Sequence, residues 1–266
     1  MRPGRASPFP PLPHPASAAD VSRRLRAWFR RHGRDLPWRR TRDPYRVLVS
    51  ELMLQQTQVA RVVDFYERFL ERFPSLKVLA AARPRRVMES WRGLGYYARA
   101  RNLHALARTL QYDGDGRIPE SVDALRQLPG VGAYTAGAVA SFAYEQSAPL
   151  VDTNVARVLA RLFAPKLRPK RATDHAQLWR IAGAIVPKSG KAAWAHNQAL
   201  MELGALICTA RVMHCDRCPV RAQCLSAPAD DAVRPAMTRR QKPDGAASDG
   251  KGRRVAQRDP TPQKIR

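Results

Sequence analysis

The chain of 266 residues contains no run of 18 apolar residues, so no segment has the length and apolarity of a membrane-spanning helix. It is also short of acid: 22 Asp and Glu stand against 47 Lys and Arg, a formal charge of +25. Such an imbalance points to a polyanionic partner, because each phosphate neutralised by Lys or Arg releases counterions. Cysteine is scarce and confined, with all four between Cys208 and Cys224. A disulfide framework scatters its cysteines to staple distant segments, and no secretory signal is read here. A reducing compartment and a metal site are therefore expected, with a cytoplasmic location that becomes nucleoid-associated in a bacterium. No internal repeat and no convincing period-2 strand is present.

What remains is helical periodicity, and the expected fold class is all-α. The six prolines of residues 1–19 argue for a disordered tail, and the polar, basic stretch 228–266 for a second one. Between them, Asp20 can cap a helix with Val21, Leu25, Trp28 and Phe29 on one face. Pro44 opens another that reaches Thr57, and VARVVDFYERFLERF continues the pattern up to Pro74. PRRVMESWRGLG and YARARNLHALARTL read as two more, and later helices begin near Ser121, Ala133, Asp152, Thr173 and Ala193.

Four stretches carry chemistry. LPGVGAYTAG, residues 128–137, reads as helix, tight turn, helix. Gly130 and Gly132 leave backbone amides uncovered at a helix start, where an anion is favoured; a plain hairpin turn is the simpler reading. CTARVMHCDRCPVRAQC has the spacing C-x6-C-x2-C-x5-C over Cys208, Cys215, Cys218 and Cys224, which suits zinc or an iron–sulfur cluster. Arg211 and His214 lie inside its first loop, placed either to meet phosphate or merely to be solvated. Asp152 precedes a helix, the ordinary place for an N-cap. Glu51 stands among Val49, Leu52 and Met53, as an ion-paired core residue or as a carboxyl whose pKa burial raises.

Together these stretches resemble the endonuclease III superfamily of DNA glycosylases, over roughly residues 20–226 and in the superfamily's order. L-P-G-V-G resembles its helix-hairpin-helix motif, and the cysteine spacing resembles its [4Fe–4S] loop. SELMLQQTQV (50–59) and GLGYYARARNLH (93–104) are similar to MutY-type adenine DNA glycosylases. The resemblance implies a six-helix barrel over 49–150 and a cluster domain built from 20–48 and 151–227. Glu51 would then protonate adenine, and Asp152 would stabilise the positive sugar as the glycosidic bond breaks. Gln55, Gln56 and Thr57 would enter the duplex, Tyr96 would wedge beside the guanine partner, and Trp38, Leu54 and Glu202 would line the adenine pocket. DLPWR and ALMELGALIC fit the same pattern.

Tyr134 stands where lyase-competent relatives carry a Schiff-base lysine, which implies base removal without strand cleavage. With Asn154 it is expected to hold Asp152 and the reacting sugar. The implied partner is double-stranded DNA with a mispaired adenine, bound by a monomer with no membrane contact.

Two departures accompany the match. Only 42 residues follow Cys224, so the resemblance predicts no C-terminal domain for 8-oxoguanine recognition and a weak preference for the oxidised base. Thr153 replaces the glycine that many MutY-type chains carry between the Asp and Asn. A thymine or uracil mismatch glycosylase is the alternative reading, and a non-catalytic DNA-binding protein is a third.

Overall fold

Proline sets where the first helix starts. In the computed structural model, which describes residues 12–228, α1 runs Pro15–His32 and so begins ahead of Asp20. Every N-terminal proline lies at or before position 15, and a helix tolerates proline in its first turn, where the missing N–H has no intrahelical partner. The expected tail is therefore shorter on the described side, while the expectations for 1–11 and 229–266 fall outside the described residues. Asp20 is not a cap. It lies inside α1, where it accepts from Arg23, from Arg24 Nε at 2.8 Å and from Gln223 Nε2 at 2.7 Å.

Asp43 caps α2 (Pro44–Leu54), its Oδ1 accepting from Arg46 N at 3.0 Å. This helix ends at Leu54 rather than Thr57, because Gln56 adopts φ +55° and leaves the right-handed helical region. The amphipathic α3 (Val59–Arg72) turns back over it, and Ser75 caps a short α4 (Leu76–Ala81). Six residues are too few to show helical period, so α4 escapes a sequence reading. Then come α5 (Pro84–Ser90) and α6 (Ala98–Arg108), which passes into a π-type turn over Thr109–Asp113. Ser121 caps α7 (Val122–Arg126), and the hairpin leads into α8 (Ala133–Phe142), fully buried from Thr135 onward. Asp152 caps α9 (Thr153–Phe163), followed by α10 (Ala172–Ile185) and α11 (Gly190–Leu206).

The described residues form an all-helical fold with no strand, the only pairing being an isolated bridge between Cys208 and Met213. Helix α2 is central to one group, packed on α3, α6 and α8; α1, α9, α10 and α11 pack on one another, and α8 meets α11. The core is apolar, with Trp91, Phe69, Leu48, Leu52 and Met53 among its fully buried members. At one crossing only glycine fits: a Cβ on Gly204 of α11 would lie 2.8 Å from Asn154 Cβ. That approach brings the N-terminus of α9 and the C-terminal half of α11 against a common cleft.

Candidate active site

A cleft of about 1120 Å³ runs along this junction, lined from one group by Glu51, Leu54 to Val59 and the hairpin, and from the other by Arg34 to Arg39, Asp152 to Asn154 and α11. Glu51, in the middle of α2, is only 2% exposed. Burial pushes its carboxyl up to about 7, Asp152 nearby adds to the rise, and the Tyr134 hydrogen bond and Arg39 oppose it. The phenol of Tyr134, in the first turn of α8, donates to Glu51 Oε2 at 2.8 Å. Burial and the two carboxylates hold that phenol well above its ordinary pKa, so it stays a donor. This revises the expected geometry: Tyr134 holds Glu51, while Asn154 alone of the expected pair bonds Asp152.

Asp152 keeps its capping role and faces the cleft at the same time. Its Oδ1 accepts from Val155 N at 2.6 Å, and Asn154 Nδ2 donates to Oδ2 at 3.4 Å. Burial raises its pKa from the ordinary value, and the backbone amides of Val155 and Asn154 pull it back. Asn154 Oδ1 accepts in turn from Arg157, whose guanidinium also binds Gly204 O at 2.8 Å and Cys208 O at 2.9 Å.

Trp38 and Leu54 line the cleft, Trp38 with its ring edge-on to Tyr66. Glu202 lies in the cleft floor but is fully buried, and its carboxylate is committed. Oε1 accepts from Arg34 N and Nε, and Oε2 from Arg34 Nη2 and Arg39 Nη2, all at 2.8–2.9 Å. Although burial acts upward, these bonds hold its pKa down to about 2. Glu202 is thus the anchor of the Arg34–Arg39 segment. Nothing in the sequence links residues so far apart.

Gln55 bonds Thr135 Oγ1 at 3.2 Å, while Gln56, Thr57, Gly130 and Gly132 line the mouth of the cleft. Gly130 takes φ +75°, and a Cβ there would lie 2.6 Å from Asn102 Cβ, so the turn requires glycine. Gly130 and Gly132 are exposed at the start of α8, which leaves the hairpin amides open to an anion. Tyr96 is 60% exposed on a separate loop outside the cleft lining, with φ +48°. Lys170 and His175 also line the cleft and carry no sequence motif that marks them, and Met201 joins them from within ALMELGALIC.

The four cysteines gather in one half-buried loop. Burial pushes Cys218 up to about 11, and Cys208, Cys224 and Cys215 add to the rise, which places all three within electrostatic reach of it. Arg161 Nη1 donates to Cys208 Sγ at 3.3 Å, and Leu225 N and Ser226 N bond Leu162 O and Arg161 O, fastening the loop to α9. Among the described residues no group of three or more His, Cys, Asp or Glu side chains is placed so that it could hold a metal ion. Arg211 is exposed on this loop, outside the cleft lining.

The model of the HhH-GPD superfamily base excision DNA repair proteins matches residues 49–183, which include Glu51, the hairpin and Asp152. The chain belongs to this superfamily. Among its relatives, the adenine DNA glycosylase of Rattus norvegicus is 43% identical over 77% of this chain and 42% of that protein. The adenine DNA glycosylase of Mycobacterium tuberculosis is 42% identical over 80% of this chain and 69% of that protein. The thymine-DNA glycosylase of Aeropyrum pernix is 41% identical over 77% of this chain and 93% of that protein. The chain thus spans less than half the length of its mammalian relatives. The solved structure of a thermostable thymine-DNA glycosylase shares the superfamily fold with a TM-score of 0.73 and 30% identity, over 80% of this chain and 97% of that one.

Proposed function

We propose that this chain is a monofunctional adenine DNA glycosylase of base excision repair, which removes adenine opposite guanine or 8-oxoguanine by hydrolysing its N-glycosidic bond. The observation that carries the proposal is Glu51: a buried carboxyl with a pKa of about 7, held by Tyr134 in the cleft that also contains Asp152. A nucleotide must leave the stack to reach such a cleft, and the hairpin amides offer its backbone phosphate a grip without reading sequence.

Once the base is seated, protonated Glu51 gives its proton to adenine N7, and the base departs as a neutral molecule. The sugar left behind is positive and oxocarbenium-like, and the Asp152 carboxylate, held at the cleft by the Val155 amide, would stabilise it. Water adds to the cationic sugar carbon and gives one proton to the Glu51 carboxylate, which completes the hydrolysis and restores the acid. Tyr134 offers no amine, so no Schiff base forms and an intact abasic strand is the product.

By its chemistry a four-thiol donor set suits a cluster or a zinc ion, and we infer the [4Fe–4S] cluster from the C-x6-C-x2-C-x5-C spacing. Cys208, Cys215, Cys218 and Cys224 would hold it, and when bound it would cross-link the loop that Arg157 and Arg161 fasten to α9. The division into a barrel over 49–150 and a cluster domain from 20–48 with 151–227 is part of the same proposal. The partner is duplex DNA with a mispaired adenine, bound by a single copy of the chain.

The near-complete coverage of the Aeropyrum pernix protein supports a second reading, removal of thymine opposite guanine. Base chemistry favours adenine. Adenine has a ring nitrogen free to accept a proton, whereas thymine offers only carbonyl oxygens to an acid. Replacing the acid tests its role: Glu51→Gln should abolish adenine release with duplex binding retained, and undiminished turnover would overturn the assignment.

A further inference from the structure

Arg99, in the first turn of α6, is 7% exposed and no carboxylate bonds its guanidinium. Taking a cation out of water without a counter-ion is costly, so its acceptors must be good ones. They come from two separate loops. Nη1 donates to Leu52 O at 2.9 Å, Met53 O at 2.7 Å and Gln55 O at 2.5 Å, the carbonyls at the C-terminal end of α2. Those carbonyls have no partner within their own helix. Nη2 donates to Thr57 Oγ1 at 3.1 Å and to Gly95 O at 3.0 Å, and the guanidinium carbon lies 5.5 Å from the Tyr96 ring centre.

The two loops are alike in another respect. Gln56 (φ +55°) and Tyr96 (φ +48°) are two of the three non-glycine residues with positive φ among those described. Each such residue is strained and persists only where its surroundings fix it. Arg99 bonds both neighbours of Gln56, through the Gln55 carbonyl and the Thr57 hydroxyl, and the Gly95 carbonyl just ahead of Tyr96.

We propose that Arg99 is a positioning residue that binds the Gln55–Thr57 loop and the Gly95–Tyr96 loop into one rigid edge, which enters the DNA stack as a unit when the target nucleotide leaves it. The proposal rests on the glycosylase reading. The planar fork of arginine suits the task because it presents separate donors toward the two loops. A lysine carries one compact ammonium and cannot span them.

Two DNAs separate positioning from a merely structural role. One is a duplex with adenine opposite 8-oxoguanine. The other has the same adenine in an unpaired bubble, already out of the stack. Both carry 2-aminopurine beside the target, whose fluorescence reports unstacking. Arg99→Lys should slow single-turnover release from the duplex by roughly tenfold or more, as expected for losing a charge-assisted hydrogen bond. It should leave release from the bubble near the unaltered rate and reduce the fluorescence rise on the duplex only. Equal losses on both DNAs with an unchanged fluorescence rise would overturn the proposal, and so would undiminished release from the duplex.

Arg99→Gln, which keeps the contacts of a long side chain but carries no charge and no two-sided fork, should show the same pattern and serves if Arg99→Lys does not fold. A loss equal on both DNAs in that variant again overturns the proposal. If the unaltered protein unstacks the duplex but releases no adenine from either DNA, the glycosylase reading fails, and the fluorescence comparison alone decides the role of Arg99.

Discussion

Tyr134 donates a 2.8 Å hydrogen bond to Glu51, joining the first turn of the hairpin's second helix to a carboxyl buried in α2. The bond has a definite sign: it lowers the Glu51 pKa against the larger upward push of burial. Glu51 acts as an acid only while protonated, so the rate of adenine release should fall as pH rises through about 7. In Tyr134→Phe the opposing bond is gone, and the fall should move to higher pH. Single-turnover rates across pH, on the unaltered protein and on Tyr134→Phe, check this. An unmoved or downward-shifted limb contradicts the assigned geometry.

The same carboxyl shapes stability. Its folded pKa of about 7 exceeds the ordinary 4.5, so between those values the folded chain holds a proton that the unfolded chain has lost. Stability from this group is therefore complete below pH 4.5, declines as pH rises, and is lost once pH passes 7. The full swing is about 3 kcal/mol. Glu51→Gln removes the ionisation, so the variant should melt several degrees above the unaltered protein at pH 8, with the gap closing toward pH 5. Melting curves at both pH values decide it, and a pH-independent difference contradicts a buried Glu51.

Much of this was legible in the sequence because it depends on local chemistry. Helical period gave most helices, Asp152 before an apolar run marked its cap, and the flanking Val49, Leu52 and Met53 announced the burial of Glu51. The illegible parts are the long-range polar contacts. Arg34 and Arg39 meet Glu202, and Arg99 meets the end of α2, because helix packing joins distant segments, and no spacing in the chain records that. The same limit explains Tyr134. The resemblance assigns it to Asp152, but the packing of α8 on α2 gives its phenol to Glu51. Helix α1 starts at Pro15, ahead of Asp20, because no further proline falls within it and a helix tolerates proline in its first turn.

The cysteine loop yields a direct test of its cofactor. Purified under reducing conditions, the protein should be brown, with broad visible absorbance and bound iron and acid-labile sulfide. Chelating the cluster away should loosen the loop over 208–224, read as faster amide exchange there and along the α9 segment it is fastened to. A colourless protein with stoichiometric zinc contradicts the cluster.

The central claim, that the chain removes adenine, is tested most directly by single-turnover release from four duplexes of one sequence: adenine opposite 8-oxoguanine, adenine opposite guanine, thymine opposite guanine, and uracil opposite guanine. The account predicts fast release of adenine from the first two, with the strand intact until treated with alkali, and slow or no release from the others. Faster release of thymine or uracil than of adenine would contradict it.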